Sequence, residues 1–209
     1  MLKNIGVMVG SMLLLNATAW GGDKGGAATF DLATFTGIRL ETPATVNVRI
    51  GSVQHVSIEA DAAILDKIKL KVQRETLVIK RQQWGILSSD IVIDITVPSL
   101  KYAAISGAGT FIINGLNEES FEARISGSGA ITAQGTAKES AVFISGAGNV
   151  LFNELISKRA SVNISGSGSV SLTVEDTLKN RISGSGTIRY KGQPMLDNHV
   201  LGSGTIAEL

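Results

Sequence analysis

The sequence predicts an all-β chain whose second half winds as a parallel, right-handed β-helix. Three observations carry that expectation. A short phrase recurs six times; apolar and polar residues alternate on both sides of each copy; and residues 101–193 hold no proline. A period near 20 residues marks a stacked array in which one repeat is one structural unit. Alternation with period two marks strands with one buried face. An uninterrupted ladder needs the backbone N–H that proline lacks.

Taken from the N-terminus, residues 1–19 read as a secretory signal peptide. Lys3 supplies the positive charge, Ile5 to Leu15 the apolar stretch, and Ala17-Thr18-Ala19 a small-x-small cleavage site. That stretch falls well short of the ~20 residues a spanning helix needs. No second segment of spanning length follows, so no transmembrane span is expected once the signal is cleaved. The mature chain then runs from Trp20 to Leu209 and is expected in the periplasm, on the outer surface or secreted. Residues 20–29, rich in glycine, read as a flexible linker.

Residues 30–100 lack the repeated phrase but keep strand patterning. Val46, Val48 and Ile50 alternate with polar residues, as do Val56 and Ile58, then Ile68, Leu70 and Val72. Arg74-Glu75-Thr76 marks a turn before Leu77-Val78-Ile79. Ile91, Ile93, Ile95 and Val97 form a further run that Pro98 ends. Asp61 to Asp66 suits a single helical turn. This half is expected to pack on the repeat stack or continue into it, covering one end.

Residues 101–209 carry the repeats. The phrase reads Ile105-Ser-Gly-Ala-Gly109, Ile125-Ser-Gly-Ser-Gly129, Ile144-Ser-Gly-Ala-Gly148, Ile164-Ser-Gly-Ser-Gly168 and Ile182-Ser-Gly-Ser-Gly186, then Val200-Leu-Gly-Ser-Gly204. Its first glycines are Gly107, Gly127, Gly146, Gly166, Gly184 and Gly202, so the spacings are 20, 19, 20, 18 and 18. The second glycines are Gly109, Gly129, Gly148, Gly168, Gly186 and Gly204. Aligned on these, Phe111, Ile131, Val150, Val170, Ile188 and Ile206 share one apolar column. Arg124, Phe143, Asn163, Arg181 and His199 share a mixed one. Each unit reads as strand, Gly-x-Gly bend, strand and variable loop. A row of antiparallel hairpins with Ser-Gly-x-Gly as the turn competes with the coil. The near-constant period favours the coil, which pairs Ile125 with Ile105 and Ile144; the hairpin row would pair it with Ile131. The far end of the coil looks bare, because Leu209 follows the last phrase closely and leaves an edge.

Composition narrows the chemistry. The absence of cysteine excludes disulfides, thiolate metal sites and a catalytic thiol. The 19 basic and 18 acidic residues become 18 and 18 once Lys3 is cleaved away. That balance, with no basic block beyond Lys80-Arg81, argues against nucleic acid as a partner. Glycoside hydrolysis needs two carboxylates roughly 5–10 Å apart. Asp90 and Asp94 on one strand face would stand about 13 Å apart, Glu118 and Glu119 point oppositely in a strand, and Glu175-Asp176 reads as loop. Calcium β-rolls need Asp beside the glycines, and no phrase has one. The two histidines, His55 and His199, are isolated. No catalytic residue, metal site or cofactor is therefore expected.

Two surface candidates remain for binding. Lys80-Arg81-Gln82-Gln83-Trp84-Gly85 sets an aromatic beside cationic and amide groups, which suits sugar stacking; Arg81, Gln83 and Trp84 are its residues. A Trp84 folded onto the core is the competing reading. Arg181 and His199 stand on adjacent coils of one outer face, where a merely solvated face competes.

The lead segments Ile68-Lys-Leu-Lys-Val72, Leu77-Val-Ile-Lys80 and Ile93-Asp-Ile-Thr-Val-Pro-Ser-Leu100, followed by the Ile-Ser-Gly-Ser-Gly repeats, carry a resemblance. Over residues 30–209 the chain resembles the bacterial auto-transporter adhesin, head GIN domain family. The resemblance implies a β-helix-like domain in an envelope or secreted protein of Gram-negative bacteria, and brings no catalytic residue with it. The expected function is a non-enzymatic exported protein whose rigid coil presents a face to a glycan or to an envelope or surface protein. Two other readings stay open. One is a polysaccharide lyase or hydrolase on the same coil; the other is a structural component that forms a homo-oligomer through the bare coil end.

Overall fold

The computed structural model of the protein describes residues 26–82 and 91–209. Its elements run β1 (Gly26–Thr29), β2 (Gly37–Leu40), β3 (Thr45–Ile50), β4 (His55–Ala60), α1 (Ala62–Leu65), β5 (Ile68–Gln73), β6 (Thr76–Arg81), β7 (Val92–Val97) and β8 (Tyr102–Gly107). Then follow β9 (Thr110–Gly127), β10 (Ala130–Gly146), β11 (Asn149–Gly166), β12 (Ser169–Gly184), β13 (Thr187–Lys191), β14 (Met195–Gly202) and β15 (Thr205–Glu208).

The repeats form a parallel β-solenoid. Ile125 pairs with Ile105 on one side and with Ile144 on the other, and Ile164, Ile182 and Val200 continue the column. The hairpin row is thereby excluded. Like residues stack at the ~4.8 Å strand spacing. Their inward alternates, from Phe111, Ile131 and Val150 to Val170 and Ile188, make one buried column of a continuous core. Phe121 and Phe152 meet inside it with ring centroids 5.8 Å apart, a separation at which tilted rings attract.

The ladder passes through the bends without a break. Ser128 N donates to Gly107 O at 3.0 Å and Ala147 N donates to Gly127 O at 2.9 Å. This close backbone stacking is why glycine recurs. At Gly127, φ is +126°, and a Cβ there would stand 2.5 Å from Gly107 O. Any L-side chain would meet both backbone strain and overlap.

In β9 to β12 the variable loops expected between repeats are not loops; residues 192–194, between β13 and β14, do leave the strand. β9 to β12 each run on for 16 to 18 residues through a second corner. Gly115, Gly135 and Gly192 turn that corner with positive φ. Glu175 and Asp176 accordingly lie within β12 rather than in a loop. The pairing register slips at this corner, between Ala133 and Gly135 and between Phe152 and Ile156, and only some repeats mark it with glycine.

The first half continues the stack and covers its end, with chain order and stacking order differing. β2 lies between β8 and β6, all parallel, and β3 lies between β9 and β7. The β6–β7 rung, later in the chain, is therefore outside the β2–β3 rung. Antiparallel strands close this side: β5 on β6, β4 on β7, and β1 on β4. α1 is the expected single turn and buries Ile64 beneath them. The linker expectation fails at its end, since Gly26–Thr29 is β1 and Ala28 is buried. The free edge of β4 offers hydrogen bonds that even a Gly-Ala-Ala-Thr segment can take. Residues 1–25, with the signal peptide, lie outside the described residues. At the other side, Leu196, Val200 and Leu201 of β14 are exposed.

Candidate functional site

Outward residues of a stacked strand repeat every rung, so a single column becomes a track along the coil. One such track runs Arg39, Ala104, Arg124, Phe143, Asn163, Arg181 and His199, each the register partner of the next. The adjacent outward column is Ser106, Ser126, Ser145, Ser165, Ser183 and Leu201. Together with Tyr102 they line an open groove of about 790 Å³. From Arg39 to His199 the groove crosses six rung steps, about 29 Å at the strand spacing.

The groove is basic and hydroxyl-rich. Among its described lining residues there is no carboxylate. Arg124 lies 4.3 Å above the Phe143 ring centroid and is also ion-paired with Glu122 at the groove's edge. That hydrogen bond raises the guanidinium above its ordinary range, against the opposing effect of partial burial, so Arg124 stays cationic throughout the physiological range. At the end of the track, His199 Nε2 stands 3.3 Å from Asp197 Oδ1. Arg39 and Arg181 have no carboxylate partner among the described residues. The serine hydroxyls can donate and accept, and Asn163 adds an amide with both functions. The arrangement can therefore hold an elongated ligand carrying hydroxyls and negative charge.

Of the residues singled out from sequence, Arg181 and His199 meet here as register partners on adjacent strands. Arg81 ends β6, in register with Ile68 of β5, and does not line the groove. Gln83 and Trp84 lie outside the described residues, as does Asp90. Asp94 sits on β7 and accepts a hydrogen bond from Asn47 Nδ2 at 2.9 Å. Sequence reasoning missed Arg39, Tyr102 and the serine column as parts of the site. The serines recur in five of the six phrases, with Leu201 in the sixth; Arg39 had no repeat to align it.

Residues 34–194 match the protein family described as "Putative auto-transporter adhesin, head GIN domain". A search of curated proteins gives no match. Among solved structures the chain is similar to a "putative adhesin" from Bacteroides fragilis, at 18% identity and a TM-score of 0.70, covering 90% of this chain and 98% of that one. A "putative adhesin" from Parabacteroides distasonis follows at 20% identity and a TM-score of 0.58, covering 89% and 97%. A "Putative lipid binding protein" from the same species has 19% identity and a TM-score of 0.52, covering 90% and 98%. At these identities the likeness is one of fold.

Proposed function

The chain belongs to the auto-transporter adhesin, head GIN domain family, and from that premise we propose that it is an exported, non-enzymatic envelope or surface protein that binds glycan. The observation that carries this reading is the groove: a rigid track about 29 Å long, lined by hydroxyl, amide, guanidinium and aromatic groups. Sugars offer alternating donors and acceptors, which Ser and Asn side chains match. The stacked ladder holds these groups at fixed spacing, so little ordering entropy opposes binding. Export rests on the signal-like residues 1–19, and the family description supports a surface location.

A glycan array probed with purified protein tests the reading. Binding to one or more glycans is expected, and Ser145→Trp, which places a bulky ring in mid-groove at an exposed position, should abolish it with the thermal melt unchanged. An array with no bound glycan, or binding untouched by Ser145→Trp, would sink the proposal. Fractionation with N-terminal sequencing checks export: a mature chain beginning at Trp20 is expected, and an uncleaved chain in the cytoplasm contradicts it.

A further inference from the structure

Resting on that reading, we propose that the groove takes an anionic polysaccharide, with Arg39 and Arg181 as its charge anchors. The basic character is concentrated in one column. Arg39 and Arg124 are two rungs apart, about 10 Å, and Arg124 and Arg181 three rungs apart, about 14 Å. Glu122 offsets Arg124 and Asp197 faces His199, whereas Arg39 and Arg181 keep uncompensated charge among the described residues. The track also continues past Arg39 into a second depression of about 410 Å³ that Arg74 lines.

Guanidinium groups bind carboxylate and sulfate through paired, charge-assisted hydrogen bonds. The serine column between the anchors supplies partners for ring hydroxyls. An extended acidic peptide fits less well. Peptides add to sheets at free strand edges, but the groove lies on a sheet face whose backbone groups are already bonded to neighbouring rungs. A polysaccharide needs only the side chains that this face presents.

The test compares dextran sulfate with unmodified dextran, by calorimetric titration of the purified protein, with duplex DNA as a polyanion without sugar hydroxyl arrays. Dextran sulfate should bind at least about tenfold more tightly than dextran, and more weakly as salt rises. The double variant R39Q/R181Q should lose about tenfold for dextran sulfate, and R39K/R181K, which keeps the charge but not the paired hydrogen bonds, should bind between that variant and the natural protein. Both arginines are exposed, so an unchanged melting curve is expected for each variant. Equal binding of dextran and its sulfate, no loss in R39Q/R181Q, or equally tight DNA binding would overturn the proposal. Neutral glycans that bind the array and are blocked by Ser145→Trp would leave the glycan reading standing and remove only the anionic one. Absence of all glycan binding removes both.

Discussion

The lead rungs and the repeat coils build the same cross-section by different means. In the repeats, chain order equals stacking order, and every rung bends at Gly-x-Gly. In the lead, the β2–β3 rung bends at Glu41-Thr42-Pro43-Ala44 without a glycine, and the β6–β7 rung is laid outside it. This corner can therefore be turned without glycine. The Gly-x-Gly form takes positive φ at its first glycine, Gly107 included, and a bend directly beneath adds a steric clash. A Cβ on Gly127, Gly146, Gly166 or Gly184 would strike the carbonyl oxygen of the preceding phrase. Gly107 is the first of the series and lies over no earlier phrase; a Cβ there would have nothing within 4 Å. Repetition of the phrase is thus a consequence of like stacking on like.

That comparison breaks most sharply at Gly146. Gly146→Val puts a β-branched residue at φ +121°, with its Cβ 2.5 Å from Gly127 O. Strain and overlap together should cost about 4 kcal/mol or more, enough to prevent folding of a marginal domain. Gly107→Ala meets the strain alone, at φ +110°, and should cost about 1–3 kcal/mol. Urea denaturation of both variants checks the difference. Equal losses would mean that φ, and not the stacked bend, fixes the glycine.

The same contrast explains what could be read in advance. The columns through Ile105, Ile125 and Ile144 were legible because six copies of one phrase align themselves, and a period of two then says which residues face inward. Arg181 and His199 became neighbours by the same counting. Arg39 could not be placed, because β2 shares no phrase with its neighbours, and only tertiary packing decides that it lies between β6 and β8. The second corner was hidden for a related reason. Gly115, Gly135 and Gly192 each stand eight residues past the first glycine of their phrase, but Glu154 and Val174 stand there in the other two repeats, and the register slips at this corner, so the segment looks like variable loop.

The lead also holds unoptimised local geometry that the repeats do not. Arg74 and Glu75 make the two-residue turn between β5 and β6 with φ of +48° and +59°. Both positions of such a turn favour Asn-Gly. Replacing Arg74 by Asn and Glu75 by Gly should raise stability by about 1 kcal/mol. The midpoint of urea unfolding would shift upward with an unchanged slope. A downward shift would mean that the Arg74 or Glu75 side chain holds the cap through contacts that outweigh the backbone strain.

The smallest expected effect tests whether the last rungs obey the same packing rule as the middle ones. The inward column Ala103, Ala123, Val142, Val162 changes to Asn180 and Asn198. Asn180 is fully buried; its Nδ2 donates to Asn198 Oδ1 at 2.8 Å, but its own Oδ1 has no partner. A buried acceptor left unpaired costs about 1–3 kcal/mol, and one hydrogen bond returns about 1. Asn198 is exposed, so water can replace the bond it would lose. Asn180→Val, which extends the valine column, should therefore stabilise the protein by up to about 1 kcal/mol. A loss of stability instead would show that the amide pair clamps β14 onto β12, and that the end of the stack is held by a specific hydrogen bond where the middle is held by apolar packing.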